Sequence, residues 1–481
     1  MKADRLLGKH TPPDLAGRTV TGLTSDSRRV KPGYIFVALK GYVADGHDYA
    51  AAAAEAGAMA IVAERAVDAG DVPVVVDPDA RRWLAHAAAQ FYGAQPESVV
   101  AITGTNGKSS SVDFLRQIWA AAGTKAASMG TLGAIGPDGT IDLGHTTPDP
   151  VAIHETMAKL ARGGVTHLAM EASSHGLEQH RLDGVTLSCV AFTNFTQDHL
   201  DYHETMDAYR AAKTRLFTEL APRGCPAVIN ADSAHCEHFE GVAVGAGLNV
   251  LSVGWRGRDL KIAELSPKAT GQDLTLKWQG AEHKLTLPLI GEFQALNALT
   301  AAGCALALGM EFEAVMAGLE KLEPVKGRLE FVGQTETGAA VFVDYAHTPD
   351  GLDTLLRTAR PHTVGKLSVV FGCGGDRDAL KRPLMGEVAA KQADVVIVTD
   401  DNPRTEDSAA IRQSILKGAP DAREIGDRAE AIRYGVTQLQ AGDTLLIAGK
   451  GHETGQIVGD TVIPFSDQDE ARRALAEVTH V

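Results

Sequence analysis

Cysteine is scarce and unpatterned in this 481-residue chain: Cys189, Cys225, Cys236, Cys304 and Cys373 are scattered, odd in number, and form no C-x-x-C pair. Neither a disulfide framework nor a zinc site is suggested, and a reducing cytoplasm is the expected compartment. Long apolar runs are missing too. No uninterrupted stretch reaches the roughly 18 residues a membrane span needs. Residues 1–17 lack the apolar core of a signal peptide, so a soluble intracellular protein is expected. Positive charge is in deficit, with 46 Lys and Arg against 61 Asp and Glu, a net −15. That balance disfavours sequence-independent nucleic-acid binding, which relies on Lys and Arg neutralising phosphates. A phosphorylated small molecule is not excluded, because backbone amides and a few basic residues hold one locally. Internal repeats and low-complexity tracts are absent.

Apolar residues make up 44% and charged residues 22%, as in ordinary globular chains. At roughly 150 residues per domain, the length predicts about three domains. Buried strands at 35–39, 60–63 and 72–77, with helices over 49–57 and 80–92, describe a small α/β unit ending in a linker at 93–97. A second unit opens with strand 99–102, a Gly-rich turn and a helix over about 109–122, then strands at 167–170, 189–192 and 227–230. Strands alternating with helices predict a parallel sheet covered on both faces. Residues 255–290 read as an antiparallel extension and 292–309 as an Ala-rich helix. Past a break at 324–328 come strands at 341–343, 366–371, 395–399 and 444–448, with a helix at 380–391. The predicted fold class is α/β in three domains: a small N-terminal α/β domain (1–96), a central P-loop-type parallel-sheet ATPase domain (97–325) and a C-terminal Rossmann-like, doubly wound domain (326–481).

Gly104-Thr105-Asn106-Gly107-Lys108-Ser109-Ser110 lies between a predicted strand and a helix. Glycines let successive amides face one anion, and the helix N-terminus adds the positive end of its dipole. Lys108 would reach the β- and γ-phosphates and Ser109 would bind Mg2+. Ile102 stands where the usual phosphate loop has its first glycine. An ordinary strand–helix turn is the alternative, but the flanking elements make nucleotide binding the better reading.

Thr103–Ser109 resembles the ATP loop of the Mur ligase family, ATP-dependent amino-acid-adding enzymes of peptidoglycan synthesis whose folylpolyglutamate synthase relatives carry a similar loop. The resemblance runs through all three domains, from about Ser25 to Gln456. Met170–Arg181 and Phe192–His203 begin at strand carboxyl ends, where open parallel sheets collect ligands. They are similar to segments of the muramyl-tripeptide-forming branch, which implies Glu171 and His199 as magnesium ligands beside Ser109. Lys213, in Ala211–Phe217, matches the family's carbamylated lysine; from the residues alone, a solvent-facing helix lysine is the alternative. A plain ammonium about 4 Å from Mg2+ would be repelled by about 8 kcal/mol at an effective dielectric of 20, whereas a carbamate offers an anionic oxygen.

The same resemblance implies contacts to the UDP-sugar dipeptide from Ser25, Ser27, Tyr42, Val43, Ala44, Thr146, Thr147, Ser173, Gln179 and Arg181. It implies ATP contacts from Asn297, Arg328, Asp344 and His347, beyond the loop residues. Arg377 in the Gly372–Asp378 turn matches the amino-acid site, with Asp401, Asn402, Pro403, Arg404, Gly449 and Glu453. Asp401-Asn402-Pro403-Arg404 resembles ligases that add meso-diaminopimelate, whose distal carboxylate an arginine can pair and whose ammonium Glu453 can accept. Lysine has no distal carboxylate and would leave a buried arginine unpaired. Three positions depart from the family pattern: His145 for an asparagine, Gln294 for an asparagine near the adenine, and Ser109-Ser110 for threonines. The resemblance implies a cytoplasmic, monomeric ligase using ATP and Mg2+ to add meso-2,6-diaminopimelate to UDP-N-acetylmuramoyl-L-alanyl-D-glutamate through an acyl phosphate. A lysine-adding ligase and a nucleotide-binding regulatory protein with a dead ligase fold are the alternatives.

Overall fold

The apolar runs of the first hundred residues become strands buried on both sides. In the computed structural model, which describes residues 1–41 and 44–478, the chain forms two compact units: Met1–Leu260 with Asn297–Gly318, and Lys261–Leu296 with Leu319–Val481. The first unit carries a four-stranded parallel sheet in the order Gly22–Thr24, Tyr34–Ala38, Ala60–Ala63, Val74–Val76. Alternation sends Ile35 and Val37 to one face, against Leu84 and Ala88 of helix Ala80–Tyr92. Phe36 and Ala38 go to the other, against Ala50 and Ala53 of helix Ala50–Glu55. The strand expected over 72–77 shortens to Val74–Val76. Pro73 has no N–H to give a ladder and marks a strand's start.

The larger sheet of this unit runs Asn249–Gly254, Pro226–Asn230, Cys189–Phe192, Ser98–Thr103, His167–Glu171, Ala126–Gly130, Gly133–Gly136, Gly139–Ile141. The first six are parallel and the last two antiparallel. Ser98–Thr103 lies between strands that come later in the chain on either side, so the strand order reverses at its carboxyl end. That is the topological switch point where such sheets bind ligands. Register aligns the ends: Ile102 pairs with Glu171, and Thr103 with Phe192. Helix Lys108–Ala121 starts directly beyond. The Gly-rich strands around residues 126–141 were not anticipated, because glycine has low strand propensity.

In the second unit, Gly271–Trp278 and Ala281–Leu287 pair antiparallel, as expected for 255–290. Its six-stranded sheet runs Glu330–Gln334, Ala340–Asp344, Thr444–Ala448, Leu367–Phe371, Val395–Val398, Arg423–Glu424, parallel except for the first. One face packs Val369, Phe371 and Leu446 on Leu355, Leu356 and Met385. The other packs Val370, Leu445 and Ile447 on Ile432, Val436 and Leu475. This is the expected doubly wound arrangement. Asp344 and Phe371 both align with Ala448, and Phe371 with Val398. Four loops therefore leave one edge together: those beginning at Tyr345, Gly372, Thr399 and Gly449.

Leu446 is 1% exposed at the centre of that sheet. Leu446→Ala should destabilise the second unit by about 2–5 kcal/mol in urea unfolding; a loss under about 1 kcal/mol would place the core's weight elsewhere.

Candidate active site

The Gly104–Gly107 loop turns because its glycines can. Gly104 has φ 153° and Gly107 φ 81°, and a Cβ on Gly107 would run into the Asn297 amide. Loop and neighbouring strand ends are interlocked: the Thr105 N–H donates to Asn194 O, and the Asn106 N–H to Asn194 Oδ1 at 2.9 Å. The Thr193 hydroxyl donates to Asn106 O at 2.6 Å. Lys108 Nζ folds onto the carbonyls of Gly104 (2.9 Å) and Thr105 (2.7 Å).

Lys213 donates to the same Gly104 carbonyl at 2.6 Å and is 1% exposed, over the Tyr209 ring. The solvent-facing alternative is thereby excluded. Burial first, and the Lys108 charge second, push its pKa well below the lysine value, against Asp198. Glu171, 2% exposed, accepts from Ser109 Oγ and from the Thr131 N–H, both at 2.8 Å. Gly130 makes room for it, since a Cβ there would strike Glu171 Oε1. A hydroxyl and a carboxylate oxygen side by side, at a nucleotide-type loop, form a donor set of the kind Mg2+ takes. His199 has a left-handed backbone (φ 52°), a 43% exposed side chain, and lies 3.4 Å from Asp198 Oδ2. Its ring stands edge-on to His175, with centroids 4.9 Å apart. No cluster of three His, Cys, Asp or Glu groups arranged for a metal occurs among the described residues.

Thr147, Ser173, Gln179 and Arg181 gather beside Glu171. Thr147 Oγ1 donates to Glu171 O and accepts from the Ser173 N–H (3.0 and 3.1 Å). Arg181 donates to Thr147 O at 2.5 Å and to Gln179 Oε1 at 2.7 Å. Thr146 shares a hydroxyl contact with Thr131 at 3.0 Å, while His145 is exposed. Ser25 and Ser27 flank Asp26, which pairs with Arg28, and Ala44 O accepts from the Gly41 N–H. Tyr42 and Val43 lie outside the described residues. Just beyond, Asp45 is pulled down to about 2 by the backbone and side chain of His47.

In the second unit, Arg328 stacks on Tyr345, with its guanidinium carbon 5.1 Å from the ring centre. The half-buried Asp344 carboxylate accepts from the N–H groups of Leu329 (2.7 Å) and Ala346 (2.8 Å), and His347 is exposed. Burial raises the Asp344 pKa. Around residues 372–377, 400–406 and 449–459 the loops form one lattice. Arg404 has φ 52°; its N–H donates to Ile457 O, its carbonyl accepts from the Gly459 N–H, and NH1 donates to Gly375 O at 2.7 Å. A side chain on Gly374 would meet Arg404, and one on Gly375 would meet Pro403 O. Asn402 Nδ2 donates to Glu453 Oε2 at 2.9 Å. The Gln456 amide donates to Asp401 O at 2.7 Å. Arg377 is exposed on the glycine-rich turn, and Gly449 donates to Asp344 O.

Sequence reasoning missed Lys450, which is fully buried and donates to Asn402 Oδ1 (2.9 Å) and Glu453 Oε2 (3.2 Å). Its place between two motif glycines was the available signal. Arg382 and Glu406, an ion pair at 2.8 Å that braces Gly374 and Asp376, were missed with no local signal at all.

Residues 19–92 match the Mur ligase family catalytic domain, 102–305 the Mur ligase middle domain, and 327–451 the Mur ligase glutamate ligase domain. The chain is 54% identical to the UDP-N-acetylmuramoyl-L-alanyl-D-glutamate--2,6-diaminopimelate ligase of Caulobacter vibrioides, over 95% of this chain and 96% of that one. It is 53% identical to the protein of the same name from Chelativorans sp., over 97% of each. A solved structure of a ligase so named superposes with a TM-score of 0.79 at 34% identity, covering 100% of both chains.

Gly107→Ala combines a left-handed backbone with a clash on Asn297. It should weaken ADP affinity by about tenfold or more in calorimetry; unchanged affinity would remove this loop from nucleotide binding.

Proposed function

The chain belongs to the Mur ligase family, and from that footing we propose that it joins meso-2,6-diaminopimelate to UDP-N-acetylmuramoyl-L-alanyl-D-glutamate, with conversion of ATP to ADP and phosphate. It is an acid–amino-acid ligase of peptidoglycan precursor synthesis. The observation that carries the choice of amino acid is the loop lattice holding Arg404 over Gly375 and Glu453 against Asn402. A cation and a carboxylate fixed on one support suit a zwitterionic side-chain terminus, carboxylate to arginine and ammonium to glutamate. Arg377 and Gly449 border the same loops, with Asp401 and Pro403 setting the turn that aims Arg404.

A γ-carboxylate oxygen of D-glutamate attacks the γ-phosphorus of ATP, the bond to the bridging oxygen breaks, and ADP leaves. The diaminopimelate amine then attacks the acyl carbon, phosphate departs, and the amine gives up a proton. Gly104, Thr105, Asn106, Gly107 and Ser110 cradle the phosphates, and Lys108 swings from its loop carbonyls to the transferred group. Asn297, Arg328, Asp344 and His347 bind the rest of the nucleotide. Ser25, Ser27, Tyr42, Val43, Ala44, Thr146, Thr147, Ser173, Gln179 and Arg181 bind the UDP-sugar dipeptide. Ser109, Glu171, His199 and carbamylated Lys213 are the residues that would hold magnesium. That ion, when bound, neutralises the phosphate charge that would repel an incoming carboxylate.

The carbamate has its own physical support. Lys108 and Lys213 share one carbonyl, so two ammoniums would repel. Carbamylation turns the Lys213 side into an anion beside Lys108. Its depressed pKa leaves the amine lone pair free to form an N–C bond with carbon dioxide, a proton leaving to solvent. The domain limits 1–96, 97–325 and 326–481 are supported by the gaps between the matched segments. We place the enzyme in the cytoplasm as a monomer. No described helix is long and apolar enough to cross a membrane, and its five cysteines are free.

Phosphate release with ATP and the UDP-dipeptide should occur with meso-diaminopimelate and not with L-lysine; release with lysine alone would overturn the amino-acid assignment, and release with neither the ligase reading. Arg404→Ala should lower kcat/KM for diaminopimelate by about ten- to a hundredfold, the loss of a charge-assisted pair. Retained selectivity over lysine would show that Arg404 does not make the choice. Lys213→Ala should be inactive and partly restored by short carboxylates such as acetate or formate, whereas full activity without them would dispose of the carbamate.

A further inference from the structure

Beneath the amino-acid loops lies an ion pair that the reaction does not touch. Arg428 opens helix Arg428–Thr437, and Asp467 opens helix Asp467–Val478. Their side chains are both 0% exposed and meet as a fork: Nε to Oδ1 at 2.7 Å and NH2 to Oδ2 at 2.8 Å. The fork leaves three N–H donors, and two of them reach backbone carbonyls at the loop roots. NH2 donates to Ala448 O at 2.9 Å, the residue before Gly449. NH1 donates to Asp400 O at 3.3 Å, the residue before Asp401. One side chain thus ties together the roots of the loops carrying Asn402 and Arg404 on one side and Lys450 and Glu453 on the other.

Stability does not account for such a pair. Apolar residues of similar volume are often as good or better in a core, and buried ion pairs are best attested as devices that set register. The strands ending at Ala448 and Val398 are not neighbours, since Leu367–Phe371 lies between them. No ladder bond joins these two strands; their loops meet only farther out, where the Arg404 backbone pairs with Ile457 and Gly459, so the spacing at the roots is left to Arg428. Burial opposes the Arg428 charge, but the carboxylates of Asp467, Asp401 and Glu453 outweigh it and hold its pKa above the usual arginine value. The charge therefore also reaches the acidic side of the pocket. Gly449 is needed for this approach, because a Cβ there would strike Asp401 Oδ2 at 2.6 Å and lie 3.9 Å from Arg428 NH2.

We infer that Arg428 and Asp467 are positioning residues for amino-acid selection, setting the span between Arg404 and Glu453 to the length of a substrate with a zwitterionic end. This rests on the diaminopimelate reading above. The planar fork is essential to the role: lysine carries the charge, but three donors on one nitrogen cannot make the two-pronged carboxylate contact and also reach both carbonyls.

The test is steady-state kinetics of the full-length enzyme with ATP and the UDP-dipeptide, comparing Arg428→Lys and Asp467→Asn with the unaltered protein. Each variant should lose on the order of tenfold or more in kcat/KM for diaminopimelate, as supporting contacts commonly do. The preference for diaminopimelate over L-lysine should shrink, while KM for ATP stays unchanged. Melting curves run alongside. Folded variants with unaltered kcat/KM and preference overturn the inference. So does an equal loss towards all three substrates, or failure of both variants to fold, either of which makes the pair purely structural. If the unaltered enzyme itself rejects diaminopimelate, the functional reading falls first and this one with it.

Discussion

A parallel strand delivers its following loop in one direction only, so strands aligned in register deliver all their loops to one edge. Both large sheets here obey that constraint, and the proposed chemistry hangs on it. In the first unit the pairings of Ile102 with Glu171 and Thr103 with Phe192 bring the glycine loop, a buried carboxylate and the Thr193–Asn194 turn to one place. In the second, alignment of Asp344, Phe371 and Val398 around Ala448 and its neighbours gathers four loops. Shifting any of these strands by one residue would reverse its faces, exposing core and burying polar side chains. The same hydrophobic burial that holds the sheet therefore also fixes where the reactive groups stand.

Onto that frame the chain places cations where water cannot screen them. Lys213, Lys450 and Arg428 are each 2% exposed or less, and each is satisfied differently. Lys213 has a carbonyl shared with Lys108, an arrangement that the proposed carbamate would ease. Lys450 has an amide oxygen and a carboxylate, which orient Asn402 and Glu453 before any substrate arrives. Arg428 has a full carboxylate fork plus two carbonyls. An unpaired buried charge is costly, so each of these partners is constrained in turn. That is how loops, ordinarily the mobile parts of a fold, become precise enough to hold a substrate.

Much of this was legible in the residues. Continuous apolar runs such as Ile35–Ala38 and Ala60–Ala63 read as strands buried on two faces, and they are. Helix Ala80–Tyr92 was readable to the residue, ending at Gly93 in the left-handed conformation. Short motifs also announced themselves: the glycine loop before Lys108, the Glu171 segment, and Asp401–Arg404. What escaped was whatever lacks a local signature. Strands Gly133–Gly136 and Gly139–Ile141 look like turns until a neighbour pairs with them. The exposed ribbon Gly455–Val458 with Thr461–Pro464 gives no hint that its backbone holds Arg404.

The sequence by itself determined the alternation of strands and helices, and the residue types offered at each strand end, because periodicity and loop chemistry are local properties. Only the tertiary structure decided that Lys213 is buried rather than solvent-facing, that Lys450 sits under Glu453, and that Arg428 meets Asp467 from 39 residues away. Burial and partnership depend on which distant segments fold against a side chain. A single charged residue carries no record of the neighbours that will enclose it.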